Sequence, residues 1–262
     1  MIKDYDKGPN KRLGRLFAKV PDHSAHAEHY WYDWEMVFYR GRSNRRLRLM
    51  VIASDPGPTE RLIGRSLIGD AGQRVQGFMW KLGLTSSYIC VNAHPYSLHP
   101  SHFSHGKSIL RDPAIRAWRN RTYDACIGPD LQAIVAFGSQ AHRAVELWDT
   151  RPDVPLFEVR HPSSRNPEEL ADGWRAAITA LRGIITPEDP AGHAEPNYGP
   201  EVTLADYADI PRGDLPFGTP SFIGRDQPKK NRPLRDSTVS RKGEDQIIWR
   251  LPDQGSDGEV GV

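Results

Sequence analysis

"LMVIASDPGPTERLIGRSLIGDAGQ", residues 49–73, sets an apolar run against an Asp-Pro-Gly-Pro turn and then opens a helix between glycines. A short apolar run without alternation reads as a strand buried on both faces. Pro56 and Gly57 turn the chain sharply just past the carboxylate of Asp55. A buried strand, a tight turn and a helix together make the opening of a parallel βα unit. In such sheets functional groups collect where strands end.

Three further runs have the same character: SYICVNA (87–93), LQAIVAFGS (131–139) and VPLFEVRHP (154–162). Helical patterns lie between and after them. AGQRVQGFMWKLGL (71–84) places Val75, Phe78, Met79 and Leu82 on one face, and residues 112–128, 139–150 and 167–185 behave alike. The alternation predicts an α/β fold: a three-layer α/β/α sandwich around a central, mostly parallel four-stranded sheet, spanning residues 46–185. Residues 1–45 read as a helical N-terminal extension, in which HAEHYWYDWEMVFYR (26–40) is expected to form an aromatic-rich helix with Tyr30, Trp31, Tyr32 and Trp34 in its packing. Residues 186–262 are rich in Pro and Gly and predict a partly irregular tail without its own core. Its stretch 225–242, with seven cationic residues against two acidic ones, is either a solvated run or a basic arm for a nucleic-acid backbone.

The chain has 262 residues, of which 38% are hydrophobic, enough for one well-buried core with appendages. No apolar run reaches membrane-spanning length and the opening residues lack a signal peptide's apolar core, so a soluble, cytoplasmic protein without membrane association is expected. Cys90 and Cys126 are the only cysteines, too few for a disulfide framework or a four-thiolate site. Residues 1–185 carry a net charge of +7 and residues 186–262 one of −5. That balance permits phosphate binding without requiring it.

Asp55 follows the first strand, Asn92 ends the second, and His161-Pro162-Ser163-Ser164 follows the fourth. The expected topology sends all of them to one edge of the sheet. A carboxylate, an amide and an imidazole converging there can support acid/base chemistry and read a substrate. Each alone has a plainer reading: Asp-Pro-Gly is a common turn, and a strand-end amide or histidine is often structural. The loop HPYSLHPSHFSH holds His94, His99, His102 and His105, but its Pro and Ser punctuation gives no ligand register. Contact with a nucleic acid is the preferred reading of that loop, and no metal is expected.

Taken together, Ala53-Ser54-Asp55-Pro56-Gly57, Gly64-Arg65-Ser66-Leu67-Ile68-Gly69-Asp70-Ala71-Gly72-Gln73, Tyr88-Ile89-Cys90-Val91-Asn92, Val135-Ala136-Phe137-Gly138-Ser139-Gln140-Ala141 and His161-Pro162-Ser163-Ser164-Arg165-Asn166 resemble the uracil-DNA glycosylase superfamily in order and spacing. The resemblance covers about residues 48–185. It implies that Asp55 orients water and stabilises a sugar cation, that His161 polarises the leaving base, and that Asn92 reads the base edge. It also implies that Gly138, Ser139, Ser163, Ser164 and Arg165 meet DNA. Splitting an N-glycosidic bond puts positive charge on the sugar and negative charge on the base, so an anion suits one side and a donor the other. The base must first leave the helix.

Two departures bear on the substrate. Gly57 stands where the strict uracil enzymes carry a tyrosine that closes the pocket at C5 of the pyrimidine. Leu67 stands where a stacking phenylalanine is usual. Both suggest a roomier pocket, suited to a modified cytosine such as glucosylated hydroxymethylcytosine of phage DNA. On this reading the chain is a monomeric, cofactor-free DNA glycosylase of antiviral defence, acting on single- or double-stranded DNA. The alternatives are a uracil-DNA glycosylase of base-excision repair and a non-catalytic DNA-binding relative. The iron-sulfur branch of the superfamily needs four cysteines, so no cluster is expected.

Overall fold

A computed structural model describes residues 5–31, 36–221 and 223–225, together with the backbone of Leu234–Arg235 and Ile247–Ile248, which pair antiparallel. The four expected strands are present as β2 (Leu49–Ala53), β3 (Tyr88–Asn92), β4 (Ala133–Phe137) and β5 (Leu156–Val159). They run parallel, and every residue of β2, β3 and β4 is buried.

The sheet has five strands rather than four, because β1 (Tyr39–Gly41) adds antiparallel to the outer edge of β3 and gives the order β1-β3-β2-β4-β5. This strand lies inside the stretch expected to be an aromatic-rich helix. Residues 24–29 form only a 3₁₀ turn, and Val37, Phe38, Tyr39 and Arg40 are all buried. Aromatic and β-branched side chains fit a pleated surface better than a helix, and the open edge of β3 supplies the hydrogen bonds. Tyr32 and Trp34 lie outside the described residues. In residues 5–31 the α-helix is α1 (Lys11–Phe17), capped by the Asn10 side chain.

Strand alternation explains the layers. Met50, Ile52, Ile89, Val91, Ile134 and Ala136 face one core, shared with Trp118 and Tyr123 of α5 (Pro113–Cys126) and with Ala141, Ala144 and Val145 of α6 (Ser139–Glu146). Leu49, Val51, Cys90, Val135 and Phe137 face the other, shared with Phe78 and Met79 of α3 (Asp70–Trp80) and with Leu170, Trp174 and Ile178 of α7 (Pro167–Leu181). Between β2 and α3 runs the short α2 (Pro58–Ile63), and α4 (Gly106–Ile109) precedes α5. Sequence signals place the helix starts: Asp112 and Asn166 cap α5 and α7, each with proline at the first position.

Between residues 186 and 225 the Pro/Gly-rich segment forms one short α-helix, α8 (Pro190–Ala194), and two 3₁₀ turns, Leu204–Asp206 and Arg212–Asp214, and it follows the α3 face. Tyr198 joins the α3/α7 core, and Ile210, Leu215 and Ile223 cluster with Ile68. Asp214 pairs at 2.8 Å with the fully buried Arg40, and Tyr88 also donates to it at 2.7 Å. Gly77 lets this segment cross α3, since a Cβ there would stand 1.8 Å from the Asp206 carbonyl oxygen. The basic stretch 225–242 lies outside the described residues apart from Arg225 and the backbone of Leu234–Arg235. Among the described residues no helix is long and apolar enough to cross a membrane.

Candidate active site

Parallel pairing of β2, β3, β4 and β5 brings Asp55, Asn92, Gly138 and His161 to one edge of the sheet. The loop after β3 folds over the end of β2, with the Ala93 and His94 amides donating to the Ser54 carbonyl at 3.0 and 2.9 Å. It thereby holds Asp55. The Ser54 hydroxyl donates to Oδ1 at 2.7 Å and the Leu98 amide to Oδ2 at 2.9 Å. Burial raises the Asp55 carboxyl to about 6 against the pull of these two bonds, with Glu60 adding to the rise.

His161 follows β5, two strands from β2 with β4 between, which separates the two chain exits by about 10 Å at normal strand spacing. Its ring rests on Gly138. A Cβ on that glycine would stand 2.8 Å from the His161 Cβ, and its φ of +86° also favours glycine. The Ser163 amide donates to His161 Nδ1 at 3.2 Å. Burial lowers the imidazole to about 4, assisted by the nearby charge of Arg74. The ring is therefore neutral at pH 7, and because Nδ1 accepts, its proton sits on Nε2. Arg74, from α3, donates to the Pro162 carbonyl and to the Tyr207 hydroxyl, tying the histidine loop to the segment after residue 186.

A cavity of about 410 Å³ is lined by Gly57, Thr59 and Glu60 after β2, by Gly69, Asp70 and Ala71 at the start of α3 and by Ser163 of the histidine loop, whereas Asp55, Asn92 and His161 do not line it. Gly57 does not leave this space empty of the chain's own atoms. A Cβ there would stand 2.6 Å from Glu60 Oε2, and the other oxygen of Glu60 accepts from the Ile68 and Gly69 amides at 2.8 and 2.9 Å. The missing side chain at residue 57 thus makes room first for Glu60, which pins the glycine-flanked segment in front of α3. Gly57 itself still lines the cavity.

Leu67 also departs from its expected place. It is 5% exposed and belongs to the α3/α7 core, and its φ is +53°. Its carbonyl presses on Gly72, where a Cβ would lie 1.9 Å from the oxygen. The backbone turns here to start α3, and the side chain is spent on packing rather than offered to a ligand. Asn92 is 1% exposed, and its Nδ2 donates to the Val37 carbonyl at 2.9 Å. One amide hydrogen is thus engaged in fixing the stretch just before β1. Ser139, Ser163 and Arg165 are exposed and Ser164 is half-buried.

A buried polar chain lies behind Asp55. Tyr30 Oη and His94 Nδ1 are 2.7 Å apart, His94 Nε2 and Gln140 Oε1 are 3.4 Å apart, and Gln140 Nε2 donates to the Phe103 carbonyl at 2.8 Å. Because the amide nitrogen of Gln140 is engaged, its oxygen faces His94. The imidazole then carries its proton on Nε2 and accepts from Tyr30. Burial lowers His94 to about 3, so it stays neutral. The remaining loop histidines do something else: His29 Nδ1 and His102 Nδ1 approach to 3.2 Å, and His29 and His105 stack at 4.7 Å. Among the described residues no group of three or more His, Cys, Asp or Glu side chains could hold a metal ion.

The sequence matches no family model and no curated protein. The geometry therefore stands alone: a half-buried carboxylate and a neutral imidazole donor across one strand from each other, beside a cavity with acceptor-rich walls.

Proposed function

We propose that this chain is a DNA glycosylase that hydrolyses the N-glycosidic bond of an extruded pyrimidine nucleotide and leaves an abasic site. The reading rests on the resemblance to the uracil-DNA glycosylase superfamily, whose sandwich would then be the finer description of this fold. The observation that carries it is the placement of Asp55 and His161 at the same edge of the sheet, with Gly138 packed against His161.

The chemistry divides between the two side chains. As the C1′–N bond breaks, its electron pair moves to the base, and the Nε2 hydrogen of neutral His161 bonds the base oxygen where charge grows. The carboxylate of Asp55, largely ionised above about pH 6, lies under the sugar cation and orients the water that adds to C1′. That water's second proton leaves to the carboxylate or to solvent. Ser163, Ser164 and Arg165 at the rim, with Gly138 and Ser139, would hold the DNA backbone.

The cavity wall bears on the base. Glu60 and Asp70 with the hydroxyls of Thr59 and Ser163 form an acceptor-rich surface, which suits a hydroxyl-bearing substituent at C5. A hydroxylated or glucosylated cytosine, as in phage DNA, is therefore the preferred substrate. Uracil is the second reading, favoured by the way Glu60 occupies the space against Gly57. Matched single and double strands carrying uracil, hydroxymethylcytosine or glucosylated hydroxymethylcytosine, scored for alkali-labile sites, test the proposal. Release of a modified cytosine supports it, release of uracil alone selects the second reading, and binding without release of any base overturns both.

A further inference from the structure

The opposite edge of the sheet holds a recess of about 560 Å³ that base release does not use. Arg42 follows β1, Arg46 and Arg48 precede β2, and the three line the recess together with Asp130, Gln132 and Thr186. Arg42 donates to the Ser86 hydroxyl and Arg48 to the Thr186 carbonyl, each at 2.6 Å. Among the described residues none of the three arginines has a carboxylate within ion-pair distance. The floor is preset, since Gln132 and Thr186 bond each other through side chain and backbone at 3.0 and 2.9 Å.

We infer that this recess binds a compact polyanion carrying at least two linked phosphate groups, of the pyrophosphate or nucleoside-polyphosphate class. Three guanidinium groups face one lining carboxylate, Asp130, and Glu188 lies behind Ser86 and Ser87. A net positive recess of this kind matches a ligand of more than one negative charge. Guanidinium forks suit phosphate oxygens bidentately, and two of the three are already steered by a bond to the chain. The volume is that of a small-molecule site, and a recess accepts a compact anion more readily than the length of a duplex.

Calorimetric titration of the full chain with inorganic pyrophosphate, orthophosphate and a short DNA duplex tests the inference. Saturable binding of one pyrophosphate per chain is expected, with orthophosphate at least about tenfold weaker. Arg46→Ala removes an exposed side chain and should weaken pyrophosphate about tenfold while the melting temperature stays put. Arg42→Ala/Arg46→Ala should bring the heats to background. The inference is overturned if pyrophosphate gives no saturable heat at millimolar concentration, or if Arg46→Ala binds it as the parent does. Loss of duplex binding in Arg46→Ala without any pyrophosphate binding also overturns it, in favour of a nucleic-acid surface.

Discussion

Asp55 at the carboxyl edge of the sheet and Glu188 at the amino edge are both carboxylates held by donors from loops at the strand ends, yet their environments act in opposite directions. Asp55 has one donor per oxygen and sits among buried groups, so its carboxyl rises to about 6. Glu188 collects the Thr85, Ser86 and Ser87 amides and the Ser86 and Ser87 hydroxyls, and although burial opposes it, these bonds bring its carboxyl down to about 2. Burial holds the first carboxyl close to the neutral range, whereas the donors around the second keep it firmly ionised. A carboxyl shifted upward fits the proposed chemistry at the first edge, and one shifted downward fits anchoring at the second.

The sharpest way to break this contrast is pH. If Asp55 must be ionised, single-turnover base release should climb about a hundredfold between pH 4 and 7 and level off above about 6. Stability should move the other way at that site. A carboxyl raised in the fold favours folding below its ordinary value, and that contribution is lost as pH rises through about 6. A flat rate profile across this window would remove Asp55 from the reaction.

Gly138→Ala and Gly64→Ala form a matched pair for the next comparison. Both glycines have positive φ, +86° and +72°, but only Gly138 touches a functional ring, while a Cβ at Gly64 meets nothing within 4 Å. Each change should cost about 1 kcal/mol or more in stability by denaturant titration. Only Gly138→Ala should also displace His161 and lower base release, by about tenfold to a hundredfold. Equal rates in the two variants would show that the His161 position is irrelevant.

Glu188→Gln gives the smallest effect and probes the other edge. It should destabilise the fold by about 1 to 3 kcal/mol at pH 7 in denaturant titration, with base release unchanged in the folded protein. A carboxyl lowered in the fold contributes stability above its ordinary value and loses it as pH falls toward about 2, so the two proteins should converge in acid. A gap that persists at pH 2 would contradict the saturated-carboxylate account.

Much of the scaffold could be read from residues alone. The runs around Met50, Cys90 and Val135 are strands because buried parallel strands are apolar without alternation, whereas β5 around Phe157 is an edge strand in which only Val159 is buried and Glu158 is exposed; Asp112 and Asn166 announce their helices by capping. What the sequence concealed were features set by tertiary contact. Tyr39–Gly41 joins the sheet only because β3 has an open edge, and nothing local marks Arg40 as the buried partner of Asp214, 174 residues later. At the site, Asp55 and His161 were legible as strand-end polar groups. Glu60 was not, since its role is to fill the space that Gly57 leaves. His94 was visible only as one of several loop histidines, and its distinction, complete burial against Tyr30 and Gln140, depends on residues far along the chain.

In the proposed reaction one carboxylate and one imidazole divide the charges of a single breaking glycosidic bond. Mass-spectrometric detection of released base from the preferred duplex, by the parent protein and by Asp55→Asn/His161→Ala at equal DNA occupancy, tests it most directly. Release should fall by about two or more orders of magnitude in the double variant, with duplex binding retained. Release of base by that variant at the parent's rate would contradict it.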